Sequence, residues 1–217
     1  MENLKEYINR LRRDFTMETL DESQVSHDPV KQFEAWFKEA IQAEVNEPNA
    51  MTVATVGEHG RPSARIVLLR NYGEEGFSFY TNYNSRKGKE IAHNPFASLL
   101  FFWPELERQV RIEGKLRMQS AEESDRYFMS RPESSRIGAW ASPQSEVISS
   151  RKVLDDNIGK ASEEFRGKEV TRPGWWGGYV LEPDTFEFWQ GRHSRLHDRI
   201  SYTKDEESSW RIARLAP

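Results

Sequence analysis

Residues 51–82, MTVATVGEHGRPSARIVLLRNYGEEGFSFYTN, decide the architecture. Met51–Val56, Ala64–Arg70 and Phe77–Thr81 are short runs rich in β-branched and aromatic residues. Glu58-His59-Gly60 and Asn71–Gly76 between them carry the Gly and Asn of tight turns. Connections this short join antiparallel strands, because a parallel pair needs a crossover of a dozen or more residues. Working outward, Ala97–Trp103 and Gln109–Met118 read as further strands. Trp175–Leu181, Thr185–Trp189, Arg195–Thr203 and Trp210–Leu215 close the chain in the same way. The pattern predicts a mainly β fold, a small barrel with peripheral helices.

Helices fall around this block. Asp28-Pro29 is a start signal, N-cap followed by proline at the first helical position. Val30, Phe33, Trp36, Phe37, Ala40 and Ile41 mark one apolar face, and the helix is expected to end near Glu47-Pro48. Ser85–His93 reads as a short helix. Ser120 and Glu123 form a capping-box pair, and that helix is expected to run to Ser130 and stop at Arg131-Pro132. A longer helix is expected over Ser145–Phe165, with Val147, Leu154, Ile158, Ala161 and Phe165 at helical intervals. Residues 1–27 are mostly polar and read as a short helix, through Leu4, Ile8 and Leu11, then a mobile arm. Residues 28–217 are expected to form one domain.

Composition narrows the function. The 217 residues carry a net charge of −4, so no global basic field attracts nucleic acid. Cysteine is absent, which excludes disulfides, thiolate zinc sites and a thiol nucleophile. The N-terminal MENLKEYINRLRRDF lacks an apolar signal core, and no run approaches the ~18 apolar residues of a membrane span. A cytoplasmic protein with neither nucleic-acid nor membrane partners is expected. There is no G-x-G-x-x-G, no P-loop and no G-x-S-x-G elbow. His193 and His197 are four apart, but no Glu follows His193 and the surroundings are strand-like, so no metal site is expected.

Four polar clusters remain. Arg65-Ile-Val-Leu-Leu-Arg70 brackets an apolar strand with guanidinium groups that suit phosphate bidentately; it also fits a buried strand with surface charges at its ends. Tyr80-Thr81, then Ser85-Arg86-Lys87 at a helix start, combine free N–H groups with two cations, or form an ordinary solvated helix start. Tyr127 and Arg131 share a helix face, with Ser135 just beyond the helix end; together they form a candidate phosphate site or a plain exposed terminus. On a strand, Arg195, His197 and Arg199 would point to one side, where repulsion calls for an anion or full exposure. Gln144-Ser145 reads as a helix cap and Gln109 as a surface strand residue when taken alone.

Taken in order, RIVLLR, FYTNYNSRKGKEI, ERQVRIEGK, YFMSRPESSRIGAWAS, PQS, WWGGY, FWQGRHSRLHDR and the terminal RLAP resemble the pyridoxamine/pyridoxine 5′-phosphate oxidase family over about residues 29–217. The resemblance implies an FMN-binding split β-barrel, homodimeric, with FMN at the subunit interface. It places Arg65, Ile66, Val67, Leu68, Tyr80, Thr81, Arg86, Lys87 and Gln109 on the cofactor, with Gln144, Ser145, Trp189 and Arg199 reaching it from the partner subunit. It implies Arg70, Tyr127, Arg131 and Ser135 at the substrate phosphate and Arg195 and His197 over the pyridine ring, the latter two as the catalytic pair. The implied reaction oxidises pyridoxine or pyridoxamine 5′-phosphate to pyridoxal 5′-phosphate, with O2 as acceptor and release of hydrogen peroxide, plus ammonia from the amine. Two positions depart from the family pattern: Arg70 stands where Lys is usual, and Phe15, in Leu11-Arg-Arg-Asp-Phe15, stands where Tyr is usual. A flavin-barrel reductase with another substrate would share the cofactor contacts without needing the Tyr127/Arg131/Ser135 cluster and the Arg195/His197 pair. A non-enzymatic carrier of FMN or pyridoxal phosphate is the other competing reading.

Overall fold

The computed structural model describes residues 3–11 and 14–217; Arg12 and Arg13 of the arm lie outside the described residues. Among the described residues there are nine strands: β1 Ala50–Val56, β2 Pro62–Leu68, β3 Asn71–Gly73 (inside the stretch expected to be a turn), β4 Gly76–Asn82, β5 Phe96–Trp103, β6 Arg108–Met118, β7 Trp176–Gln190, β8 Asp198–Lys204 and β9 Trp210–Arg214. Their hydrogen-bonded order is β2-β1-β5-β6-β7-β4-β3, with β8 on β7 and β9 on β8. Six helices accompany them: α1 Leu4–Arg10, α2 Pro29–Gln42, α3 Arg86–His93, α4 Ala121–Ser130, α5 Glu133–Ala141 and α6 Arg151–Glu164. No helix among the described residues is long and apolar enough to cross a membrane. None of their His, Asp or Glu side chains group in threes to hold a metal ion. The chain divides into two compact units.

The first unit holds Met1–Pro48, Leu100–Ile112 and Thr185–Pro217. Asp28 caps α2 by accepting the Val30 N–H at 2.8 Å. Phe33 then packs 5.1 Å from Phe101, and Trp36 meets Phe188 edge-on at 5.3 Å. Burying an aromatic of this kind contributes roughly 1.5–3 kcal/mol. α2 stops at Gln42, short of the expected Glu47. Glu44 takes a left-handed φ of 53°, and the Val45 N–H closes on the Ala40 carbonyl. This is a C-terminal closure usually announced by glycine, which is absent here, and it leaves Ile41 exposed rather than on the buried face. β8 begins at Asp198, not Arg195. Residues His193–Arg195 form a single 3-10 turn in which Ser194 and Arg195 have φ of 56° and 63°. The expected strand face of Arg195, His197 and Arg199 therefore does not exist; only Arg199 is in the ladder, opposite Trp189.

The second unit holds Asn49–Leu99 and Glu113–Asp184. β1 and β2 form the expected hairpin, with Val53 opposite Arg65. β7 is one fifteen-residue strand where two were expected. Its Pro183 falls between the stretch paired with β4, Trp176–Leu181, and the stretch paired with β8, Thr185–Gln190, so the missing N–H costs neither ladder a bond. α4 carries the full capping box between Ser120 and Glu123. α5 was not expected: Pro132, taken as a stop, also opens the next helix, with Glu133 in its first turn and Ile137 and Ala141 buried four apart. α6 starts at Arg151, not Ser145. Ser145 has a left-handed φ of 74° and caps nothing, and Val147 is fully exposed. The core here gathers Phe128, Ile137, Ala161, Val170 and Trp176.

Candidate active site

A cavity of about 340 Å³ opens in the second unit between β2, the end of β4, the start of α3 and the end of α4. Arg65, Ile66, Val67, Leu68, Arg70, Tyr80, Thr81, Lys87, Tyr127, Arg131, Gln144 and Trp176 line it. β2 stands at the end of the strand order, so its outer N–H and C=O groups are outside the ladder. Ile66 is 65% exposed there, an apolar side chain beside unpaired backbone donors and acceptors.

One end of the cavity is a lysine cradle. Ser85 caps α3 by accepting the Gly88 N–H at 3.3 Å, which turns Lys87 inward. A Cβ at Gly88 would collide with the Tyr83 carbonyl, so glycine lets α3 begin this close to the preceding turn. Lys87 Nζ donates to Thr81 Oγ1 at 3.0 Å and to Gln144 Oε1 at 2.9 Å. Burial first, then the nearby Arg65 charge, pushes the Lys87 ammonium down to about 8.

Arg65 is held from behind by Glu90. The carboxylate Oε2 accepts from Thr55 Oγ1 at 2.5 Å, Ser63 Oγ at 2.6 Å and Arg65 Nη2 at 3.2 Å, while Oε1 accepts from Arg86 Nε at 2.8 Å. Burial opposes ionisation of Glu90. The hydrogen bonds from Ser63, Thr55, Arg86 and Arg65 outweigh it and hold the carboxyl at about 2. One anion thus orients two arginines delivered by different elements, β2 and α3. Arg86 and Ser145 line an adjoining cavity that also includes Glu90, and Gln144 is common to both.

The other end is aromatic and cationic. Tyr80 and Tyr127 stack at 3.8 Å, and Trp176 lies parallel to both, 5.5 Å from Tyr80 and 6.2 Å from Tyr127. The Arg131 guanidinium sits 4.6 Å from the Trp176 ring centre and that of Arg70 sits 5.8 Å from Tyr127. Burial lowers the Arg131 pKa, Tyr127 raises it, and the neighbouring Arg70 charge lowers it again. Its Nη1 is buried without a hydrogen-bond partner. Such a donor points to an absent acceptor.

Gln109, Trp189, Arg195, His197 and Arg199 lie in the first unit. His197 packs tilted against Trp189 at 4.5 Å and meets Phe15 at 5.8 Å. Its Nδ1 accepts the Arg192 N–H at 3.1 Å, which leaves the ring's proton on Nε2 in the neutral form. Burial, then the Arg195 charge, lowers its pKa, so the neutral ring is favoured. Arg195 is exposed and shares a cavity with Leu11, Asp14, Phe15 and His197. Arg199 is gripped by Glu187 through Nε at 2.8 Å and Nη2 at 3.1 Å. Phe15, which lacks the hydroxyl of the usual Tyr, serves as an apolar wall against Trp189 and His197.

Of the expected contacts, the first cavity gathers Arg65–Leu68, Arg70, Tyr80, Thr81, Lys87, Tyr127, Arg131 and Gln144. Ser135 is half-buried in the first turn of α5 and is not among its lining residues; Gln109 lies half-buried on β6. Two participants escaped sequence reasoning. Glu90 carried only the helical i, i+4 spacing to Arg86. Trp176 was visible solely as part of WWGGY.

The donor set fits FMN, the cofactor the resemblance implies. A desolvated ammonium beside threonine and amide groups suits a phosphate, and an apolar edge strand with unpaired amides suits a ring that alternates donors and acceptors. Comparisons with known proteins agree. The family described as pyridoxamine 5′-phosphate oxidase matches residues 37–164, and the one described as the pyridoxine 5′-phosphate oxidase C-terminal dimerisation region matches residues 176–217. A pyridoxine/pyridoxamine 5′-phosphate oxidase of Burkholderia lata is 59% identical over 95% of this chain and 97% of that protein. One of Cyanothece is 54% identical over 97% and 98%. Among solved structures, PhzG of Burkholderia lata, in complex with tetrahydrophenazine-1-carboxylic acid, superposes with a TM-score of 0.86 at 30% identity, covering 93% of this chain and 99% of that one. A pyridoxamine 5′-phosphate oxidase-related, FMN-binding protein of Nostoc punctiforme shares the fold, with a TM-score of 0.69 at 19% identity over 89% and 100%. With both family regions matched and relatives this similar along nearly its whole length, the chain belongs to the pyridoxamine 5′-phosphate oxidase family.

Proposed function

We propose that the protein is a cytoplasmic homodimeric oxidase that uses FMN to convert pyridoxine or pyridoxamine 5′-phosphate to pyridoxal 5′-phosphate, passing electrons to O2. The observation that carries this reading is one cavity lined by two pairs of cations, Lys87 beside Arg65 and Arg131 beside Arg70. Two phosphorylated molecules need two such anchors. When bound, FMN supplies the two-electron acceptor and its reoxidation by O2. Lys87, Thr81 and Arg65 hold the cofactor phosphate, and Ile66–Leu68 support its ring. Arg70, Tyr127 and Arg131 take the substrate phosphate. That distant grip fixes the carbon to be oxidised, converting binding energy into orientation. Trp189, Arg195, His197 and Arg199 act from a second copy, in keeping with the dimerisation region matched over 176–217. Neutral His197 offers an Nε2 proton to a ring substituent, and Arg195 closes over the substrate.

The substrate assignment is tested by oxygen consumption with added FMN, comparing both phosphorylated vitamers with their unphosphorylated forms. Peroxide released only from the phosphorylated pair supports it. The PhzG superposition motivates a second reading, oxidation of a reduced phenazine carboxylate, whose acid could pair with the same arginines. The higher identity to the Burkholderia lata vitamin B6 oxidase, 59% against 30% for PhzG of the same species, favours the first. Turnover of tetrahydrophenazine-1-carboxylic acid with none of the B6 phosphates would reverse that choice.

Cofactor affinity is expected to depend on pH. Lys87 is held near 8 before a phosphate arrives, and a dianion opposite it favours the charged ammonium. Above pH 8, binding must therefore take up a proton. The phosphate's own second ionisation, near pH 6, is complete throughout this range. FMN affinity should fall from pH 7.5 to 9.5, approaching about tenfold per unit at the upper end. Lys87→Arg keeps its charge and should flatten the profile. Flavin fluorescence quenching measures both, and an equally steep profile for Lys87→Arg would remove Lys87 as the titrating group.

A further inference from the structure

We propose that Trp176 is a positioning residue for phosphate recognition, its indole face holding the Arg131 guanidinium turned into the cavity. The inference rests on the reading of Arg131 as a substrate-phosphate anchor. Arg131 stands immediately after α4 and before Pro132, where a long side chain is not fixed by helix geometry. Hydrogen bonding does not fix it either, since Nη1 is buried without a partner. What lies against the cation is a ring face: Trp176 at 4.6 Å, with Phe128 farther away at 5.6 Å.

Arg172 provides the contrast. It reaches the Trp176 carbonyl through Nη1 at 2.7 Å and Asp125 through Nε at 2.6 Å, so its fork is spent on the protein. Arg131, resting on a π face, keeps its donors for a ligand. A carboxylate in Trp176's place would orient the guanidinium just as well but would neutralise it and compete with phosphate. An indole attracts the cation while leaving its N–H groups unoccupied. The ring itself is held by packing on several sides. It is 7% exposed, packs edge-on against Phe128 at 5.1 Å and lies parallel to Tyr127 at an interplanar angle of 4°.

The test is a double-mutant cycle on the FMN-loaded enzyme, with Trp176→Leu and Trp176→Phe made in the presence of Arg131 and in Arg131→Ala. Calorimetry gives the Kd of pyridoxal 5′-phosphate, and pyridoxal serves as the phosphate-free control. Steady-state kinetics give KM and kcat for pyridoxine 5′-phosphate. Flavin content and thermal melting report folding. With Arg131 present, Trp176→Leu should weaken phosphate-ligand binding about tenfold and Trp176→Phe about threefold. KM should rise more than kcat falls, and pyridoxal binding should be unaffected. In Arg131→Ala, neither substitution should have a further effect.

Equal losses in both backgrounds would mean that Trp176 acts by packing alone and would overturn the proposal. So would unchanged binding in a Trp176→Leu protein that retains flavin. If Trp176→Leu does not fold, Trp176→Phe runs the same cycle. If Arg131→Ala alone leaves phosphate binding unchanged, the underlying assignment of Arg131 fails, and this proposal falls with it.

Discussion

Arg131→Ala is expected to lower kcat/KM for pyridoxine 5′-phosphate by about 10²–10³-fold while FMN stays bound. The cation is half-buried, its Nη1 has no partner, and Arg70 repels it. A phosphate would relieve all three costs at once. Truncating one partner of such a desolvated charge pair typically costs about 2–5 kcal/mol, because the other charge is left without its counterpart. The loss should appear chiefly in KM, since the phosphate grip exists in the ground state as well as in the transition state. Arg131→Lys should recover only part of it, because an ammonium keeps the charge but not the bidentate fork. Unphosphorylated pyridoxine sets the baseline: the variant should treat it much as the unmodified enzyme does. Flavin should remain because Lys87 and Arg65 are untouched. Unchanged kcat/KM for the phosphorylated substrate would remove Arg131 from the site.

The strand framework was legible because its information is local. Alternation and Gly/Asn turns in residues 51–82 demand hairpins whatever surrounds them, and β1, β2 and β4 appear within two residues of expectation at both ends. Three of the failures share one cause: backbone conformations unmarked by their usual residues. Glu44, Ser145, Ser194 and Arg195 all take left-handed φ without glycine, and they end α2, delay α6 and break the strand expected at Arg195. Arg131-Pro132 reads as a stop, yet Pro132 also stands as the N-cap of α5. In the site, Arg65, Lys87 and Arg131 were visible as basic residues near small polar ones. Glu90 was not, because its role arises when β1, β2 and α3 bring Thr55, Ser63, Arg65 and Arg86 onto one carboxylate. Nothing in the local pattern RKGKEI distinguishes that glutamate from a solvated one.

Mixing two impaired variants, Arg131→Ala and Arg195→Ala, and assaying at substrate well below the raised KM of Arg131→Ala, should restore activity to about a quarter of that of the unmodified enzyme. Alone, Arg195→Ala should retain FMN and lose about 100-fold in turnover, as expected for a group that orients and closes over substrate. The recovery follows from how the first unit is tied together. His197 packs against Trp189, and Arg199 lies opposite Trp189 in the β7–β8 ladder. If Trp189 and Arg199 reach the cofactor from a second copy, His197 and its neighbour Arg195 must travel with them. Arg131 belongs to the second unit and stays with the Lys87 cradle. In a mixed dimer, one composite site then carries both substitutions and the other carries neither. Random exchange makes about half the dimers mixed, and half of their sites are intact. If Arg131 and Arg195 instead served one site from the same chain, every site in the mixed dimer would hold one defect and nothing would recover. Co-refolding the two variants at equal concentration and assaying peroxide release decides the matter, with each variant refolded alone as the control. Activity no higher than in those controls, from preparations that carry full flavin and run as dimers, would refute the shared site.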